Sequence, residues 1–280
     1  MKTKAKHLLN LAKQSKKAIG AFNVSSIEAL QAVFEAASEV KSPVIIQTSA
    51  GEAEYLLPEL VSEICTELSK LYKVDFLLHL DRGNDIDLIK RCLEAGYDSI
   101  SSEFHSTTYD EIVKNTLSVR RLTNQYVAYH EGAIEVVPLR YYKEKYQEEL
   151  RKTDPKLAKR FVQETGIDSL VVSIGNQSGK LKTQQPLDIN ILTELNDLLP
   201  ETPFVLHGGS FLSDTDILNC IQNGVAKINV NTEIRLAYIN KLKENISIND
   251  GEYAPYRLLK GVKEDMRNII KNKITLFNHL

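Results

Sequence analysis

Short apolar runs rich in β-branched residues alternate along this chain with longer stretches whose apolar positions recur at helical spacing. The short runs at 18–23, 44–49, 76–80, 99–102, 125–129, 169–174, 203–207 and 226–231 predict strands. The stretches at 27–41, 57–72, 86–95, 109–124, 154–165, 189–198 and 213–223 predict helices. Strands that alternate with helices are parallel, because each crossover needs an element to cover the sheet face. Eight such units predict a (β/α)8 TIM barrel with residues 1–280 as one domain; a doubly wound open sheet carries the same periodicity.

Local signals agree with this register. Gly96, Gly166 and Gly224 each follow a helix pattern and precede a strand, as glycine at a helix C-terminus does. Pro43 and Pro203 stand at strand starts, where no ladder donor is lost. Thr153-Asp154-Pro155 reads as a helix start. The segment 133–152 is a long connection rich in Tyr, Lys and Glu, and reads either as a lid or as an extra surface helix. Residues 253–280 carry helical spacing and are expected to pack on the barrel or on a partner subunit.

Composition changes this picture little. A net charge of −2 and 26% charged residues give no bulk electrostatic signal for nucleic acid or a membrane surface. No window approaches the roughly 18 apolar residues of a membrane span. Cys65, Cys92 and Cys220 are scattered, so a reducing cytoplasm is expected and a disulfide framework is not. Residues 1–17 are basic and amphipathic without a continuous apolar run, which reads as a short helix, not a signal peptide.

Chemistry in such a barrel gathers where the strands end. Four histidines, His79, His105, His130 and His207, are read at those ends. Gly175 and Gly179, then Gly208, Gly209 and Ser210, then Asn229 to Thr232, cluster after strands six to eight. There glycines let backbone N–H groups approach an anion, and Lys182 adds a point charge. This predicts a phosphate site; tight turns are the plainer reading of the same glycines.

Gly20-Ala21-Phe22-Asn23, Leu78-His79-Leu80-Asp81, Val205-Leu206-His207-Gly208-Gly209-Ser210 and Lys227-Ile228-Asn229-Val230-Asn231-Thr232-Glu233 together resemble the class II fructose-bisphosphate and tagatose-bisphosphate aldolases. The resemblance runs over nearly the whole chain. It implies a barrel, a homodimer or larger homo-oligomer, and a phosphorylated sugar as partner. The implied reaction is reversible aldol cleavage of a ketose bisphosphate, with zinc polarising the ketone. It further implies that Asp81 transfers a proton and that His207 is a zinc ligand. Gly179, Lys182, Gly208, Gly209 and Ser210 would hold phosphate. Asn229, Asn231 and Thr232 would meet substrate and phosphate, and Asn23 and Ser49 would line the pocket.

The chain departs from the family pattern at the metal. Arg82 stands where the family has a zinc histidine after the Asp, and Ser178 where it has a second one. The family's Asp-Gly-Ser is Glu103-Phe104-His105 here, and its Glu-x-Glu-x-Gly aligns with Ala128-Tyr129-His130-Glu131-Gly132. A guanidinium only donates hydrogen bonds and cannot bind a metal. Three readings follow. Arg82 replaces the metal as an electrophile beside Asp81; the site is rebuilt from His105, His130, Glu103 and Glu131 with His207; or the chain is a non-catalytic sugar-phosphate-binding or accessory protein. A structural ion pair is the plain alternative for Arg82.

Overall fold

The computed structural model describes residues 4–104, 108–134, 152–177, 179 and 186–279. Eight parallel strands close into a barrel in sequence order, β1 pairing with both β2 and β8. They are β1 Ile19–Asn23, β2 Val44–Ser49, β3 Phe76–Gly83, β4 Ser99–Ser102, β5 Tyr129–Ala133, β6 Ser169–Val172, β7 Phe204–Leu206 and β8 Val225–Val230. Closure excludes the open sheet.

The helices form where capping chemistry and amphipathic spacing coincide. Those lying between strands are α2 Ile27–Val40, α3 Ala50–Leu56, α4 Pro58–Tyr72, α5 Ile86–Glu94, α6 Tyr109–Gln125, α7 Pro155–Thr165, α8 Ile189–Leu198 and α9 Asp214–Gln222. Asp154 accepts from the N–H groups of Lys156 and Leu157 at 2.8 and 3.0 Å, and Gly166 ends the same helix in the left-handed conformation. Ser26, Asp85 and Ser213 cap α2, α5 and α9 in the same way.

Side chains alternate in and out along each strand. The outward residues, among them Phe22, Ile46, Leu78, Leu80, Ile100, Leu206 and Ile228, pack against the helices as the main core. The inward residues at the N-terminal end, Ile19, Ile45, Leu77 and Tyr129, meet Ala5, Leu9 and Ala12 of α1 (Lys4–Gln14), which plugs that end of the barrel. Farther up, the interior turns polar, and this sets the position of the site.

The fifth strand begins later than the sequence pattern predicts. Helix α6 runs through Gln125, the Ala128 N–H still returns to Thr123, and pairing starts only at Tyr129. His130 and Glu131 are therefore consecutive strand residues on opposite faces, not a loop after the strand. Two further helices escape the periodicity, α3 directly after β2 and α10 (Thr232–Ile248) directly after β8. The C-terminal region forms α11 (Pro255–Leu258) and α12 (Val262–Asn278), and α12 lies on the barrel. Phe277 is buried and its carbonyl accepts from the Ala18 N–H, while Lys263 and Lys271 pair with Glu35 and Glu39 of α2. Residues 135–151 of the long connection lie outside the described residues.

Candidate functional site

The inward positions of β3, β5 and β8 put ionisable groups inside the barrel. Lys227 is 1% exposed and donates to both carboxylate oxygens of Glu131, at 3.1 and 2.9 Å, and to Nε2 of His79 at 3.2 Å. The other nitrogen of His79 is 2.7 Å from the Ser99 hydroxyl. Burial and then the Lys227 charge push the His79 pKa down to about 3, so its ring is neutral. Burial alone would raise Glu131; the Lys227 charge outweighs it, helped by the His207 ring facing the carboxylate, and holds the carboxyl far below its ordinary range. His79 thus sits within the barrel interior, below the rim where the sequence reading put it.

One layer higher lie the groups that line the mouth. Asp81 is 7% exposed and accepts from Asn229 at 3.3 Å and from Asn23 at 3.4 Å. Burial raises its pKa, but the cationic surroundings, Arg82 and Lys227 among them, bring it below the usual carboxylate value. Asn23 also donates to Glu52 at 2.9 Å and accepts from Gln47 at 2.6 Å. Glu52, on α3, further accepts from the Ser49 N–H and hydroxyl and from Arg235 on α10, the last at 2.6 Å.

Arg82 has a positive φ of 58°, a conformation that costs a non-glycine residue about 1–3 kcal/mol and persists only where the surroundings enforce it. Its side chain bridges from β3 to the end of β7. The guanidinium Nε and Nη2 lie 3.2 and 2.9 Å from Nδ1 of His207. Nε also lies 3.3 Å from Glu103 at the end of β4, whose second carboxylate oxygen is buried with no hydrogen-bond partner among the described residues.

At the ends of β7 and β8 the backbone forms the loop the glycines predict. Gly208 has a φ of 69°. A Cβ on Gly209 would collide with Ile228 Cγ2 and lie 3.1 Å from the Asn229 carbonyl, so no larger residue fits there. The Ser210 hydroxyl accepts from the Glu233 N–H in the first turn of α10, which Asn231 precedes and Thr232 begins. Asn176 ties this loop to the end of β6, donating to the His207 carbonyl at 2.9 Å. The amide-rich loop and the N-terminus of a long helix converge, an arrangement that favours an anion. Gly179 is described, with a φ of 99°, whereas Lys182, Ser178 and His105 lie outside the described residues.

Among the described residues, the groups at the mouth do not assemble the three-ligand zinc site that the resemblance implies. The retained His207 offers Nδ1 to a guanidinium, and a positive charge stands beside the position a cation would take. Of the rebuilt set, His105 lies outside the described residues, and the described members do not converge on one point. His130 faces the helix layer, bonded to Ser102 at 2.8 Å, with its pKa pushed down to about 3 by burial and then by Arg120. Glu131 faces inward and is taken by Lys227. His130 and Glu131 cannot share an ion, because neighbouring strand residues point to opposite faces. Among the described residues, no three His, Cys, Asp or Glu side chains form a metal-holding group.

Of the sequence-predicted residues, the structure brings together Asn23, Ser49, Asp81, Arg82, Glu103, Glu131, His207 and Asn229, with Gly208, Gly209, Ser210, Asn231 and Thr232 at the adjoining loop. Sequence reasoning assigned no role to Lys227, Glu52, Arg235 or Asn176. The Ser49-x-x-Glu52 spacing was a readable capping pattern, and Lys227 shares the inward parity of Asn229.

A model described as fructose-bisphosphate aldolase class-II matches residues 3–280. The crystal structure of the YdjI aldolase from Escherichia coli K12 superposes with a TM-score of 0.85 at 30% identity, covering 99% of this chain and 97% of that one. A provisionally assigned fructose-1,6-biphosphate aldolase from Coccidioides immitis gives a TM-score of 0.85 at 25% identity, covering 99% and 96%.

Proposed function

The chain belongs to the class II fructose-bisphosphate aldolase family, and on that premise we propose that it acts on a phosphorylated ketose with Arg82 in the role the family gives its metal. The observation that carries this reading is the guanidinium held at the mouth between His207 and Glu103, in the same polar network as a buried aspartate that is charged.

The chemistry follows from those two groups. With the phosphate held by the Gly208–Ser210 loop and α10, the ketose carbonyl would lie toward Arg82. When the bond between the α and β carbons breaks, its electrons move onto the carbonyl oxygen, and a fixed guanidinium stabilises that developing charge as an oxyanion hole does. Asp81 takes the proton from the β-hydroxyl, whose carbon becomes the released aldehyde. Asn23 and Asn229 hold the Asp81 carboxylate in place. A lyase or isomerase step through the same enediolate uses the same groups.

The test is cleavage of fructose- and tagatose-bisphosphate by purified protein, with and without chelator, alongside metal analysis. Turnover that survives chelation and is abolished by Asp81→Asn supports the reading. Turnover that needs a stoichiometric metal removes it. Stabilisation by phosphorylated ketoses without any turnover supports the sugar-phosphate-binding alternative instead. The cytoplasm and a homodimer or larger assembly remain the expected setting, as the scattered cysteines and the resemblance suggest.

A further inference from the structure

We infer that the buried Glu131–Lys227 pair is a positioning device for Arg82 that works through the ring of His207. Its part in catalysis rests on the proposed electrophilic role of Arg82; its effect on the His207 ring does not.

Arginine only donates hydrogen bonds. Nε and Nη2 of Arg82 both approach Nδ1 of His207, so Nδ1 must present its lone pair. A neutral imidazole with a bare Nδ1 carries its proton on Nε2. That nitrogen faces Glu131 Oε1 at 3.7 Å, and a carboxylate there favours an N–H over a lone pair. The Asn229 amide nitrogen is also 3.5 Å from Nε2, the outer limit of a hydrogen bond, and one of its two N–H groups goes to the nearer, charged Asp81 oxygen at 3.3 Å.

Glu131 in turn has no freedom to turn away. Both its oxygens are held by Lys227, and Lys227 is held by Nε2 of His79, whose other nitrogen bonds Ser99. Glu131, Lys227, His79 and His207 are all about fully buried. Arg82 and Glu131 both lie in motifs where the chain departs from the family pattern, and they meet on the two nitrogens of the histidine that is kept. Removing the carboxylate would let the His207 proton settle on Nδ1, which would then repel the guanidinium.

The experiment reads the ring directly. Protein labelled with nitrogen-15 in histidine is examined by NMR near neutral pH without substrate, and His207→Gln identifies the signal. The expected wild-type spectrum shows Nε2 protonated and Nδ1 bare. An imidazolium, or a proton on Nδ1, would overturn the inference. Glu131→Gln and the charge-balanced double variant Glu131→Leu with Lys227→Met are expected to shift the tautomer toward Nδ1–H, and an unchanged tautomer in a folded variant also overturns it. If neither variant folds, the wild-type spectrum decides. With a turned-over substrate, the variants should lower kcat by about 10- to 100-fold with little change in KM. Because the spectrum needs no substrate, failure of the ketose reading leaves this result interpretable.

Discussion

Arg82 and His207 lie 125 residues apart, yet the guanidinium Nη2 of one stands 2.9 Å from the ring Nδ1 of the other. β3 and β7 are on opposite sides of the eight-stranded barrel. The contact therefore crosses the mouth, and it ties a positive charge on β3 to the far side of the barrel.

The first prediction concerns that charge. Arg82→Lys keeps a cation but loses the planar fork that reaches His207 and Glu103 together, so turnover of a ketose phosphate should fall about 100- to 1,000-fold. Arg82→Ala should lose at least as much. Steady-state kcat for both variants checks this, and a lysine variant near wild-type activity would show that fork geometry is unimportant.

Glu52 is the hub on the other side of the mouth. Its carboxylate accepts from Ser49, Asn23 and Arg235, so Glu52→Ala leaves the buried Asn23 only its longer bond to Asp81 and removes the acceptor of the partly buried Ser49. A loss of about 2–4 kcal/mol in unfolding free energy is expected, together with a weaker hold of Asn23 on Asp81. Urea denaturation measures the first effect, and kcat the second.

His130 predicts a pH dependence. Its folded pKa is about 3, below the ordinary value near 6.5, so the unfolded chain binds an extra proton between those pH values. Stability is therefore greatest above about pH 6.5 and falls as pH drops toward 3, by about 1.4 kcal/mol per pH unit for each such histidine. His79 adds a second contribution of the same sign. His130→Asn should flatten the slope by one proton, measured as urea midpoints across that range; an unchanged slope would be inconsistent with a buried neutral ring.

Gly209 predicts a steric effect on the anion loop. Gly209→Ala drives a methyl into Ile228 and the Asn229 backbone, which should cost about 1–3 kcal/mol and displace the Ser210 turn. Inorganic phosphate should stabilise the wild type against heat more than this variant. Equal stabilisation would separate the loop from phosphate binding.

The sequence by itself determined the eight alternating units and the residue types at their ends, whereas closure into a barrel was decided by the tertiary structure. Alternating apolar runs and caps act over a few residues, so eight strand–helix units were legible, as was the glycine-rich loop after β7. That Arg82 follows Asp81, where the resemblance would place a zinc histidine, was also legible, because it is a matter of residue type. What the linear pattern could not resolve was direction. The start of β5 was misplaced because α6 continues to Gln125, and that shift decides that Glu131 points inward while His130 points outward. Only the closed barrel then brings Glu131 to Lys227, 96 residues away, and Arg82 to His207. Strand pairing and closure set these meetings, and they depend on the whole chain folding around a shared core, not on the residues beside each group.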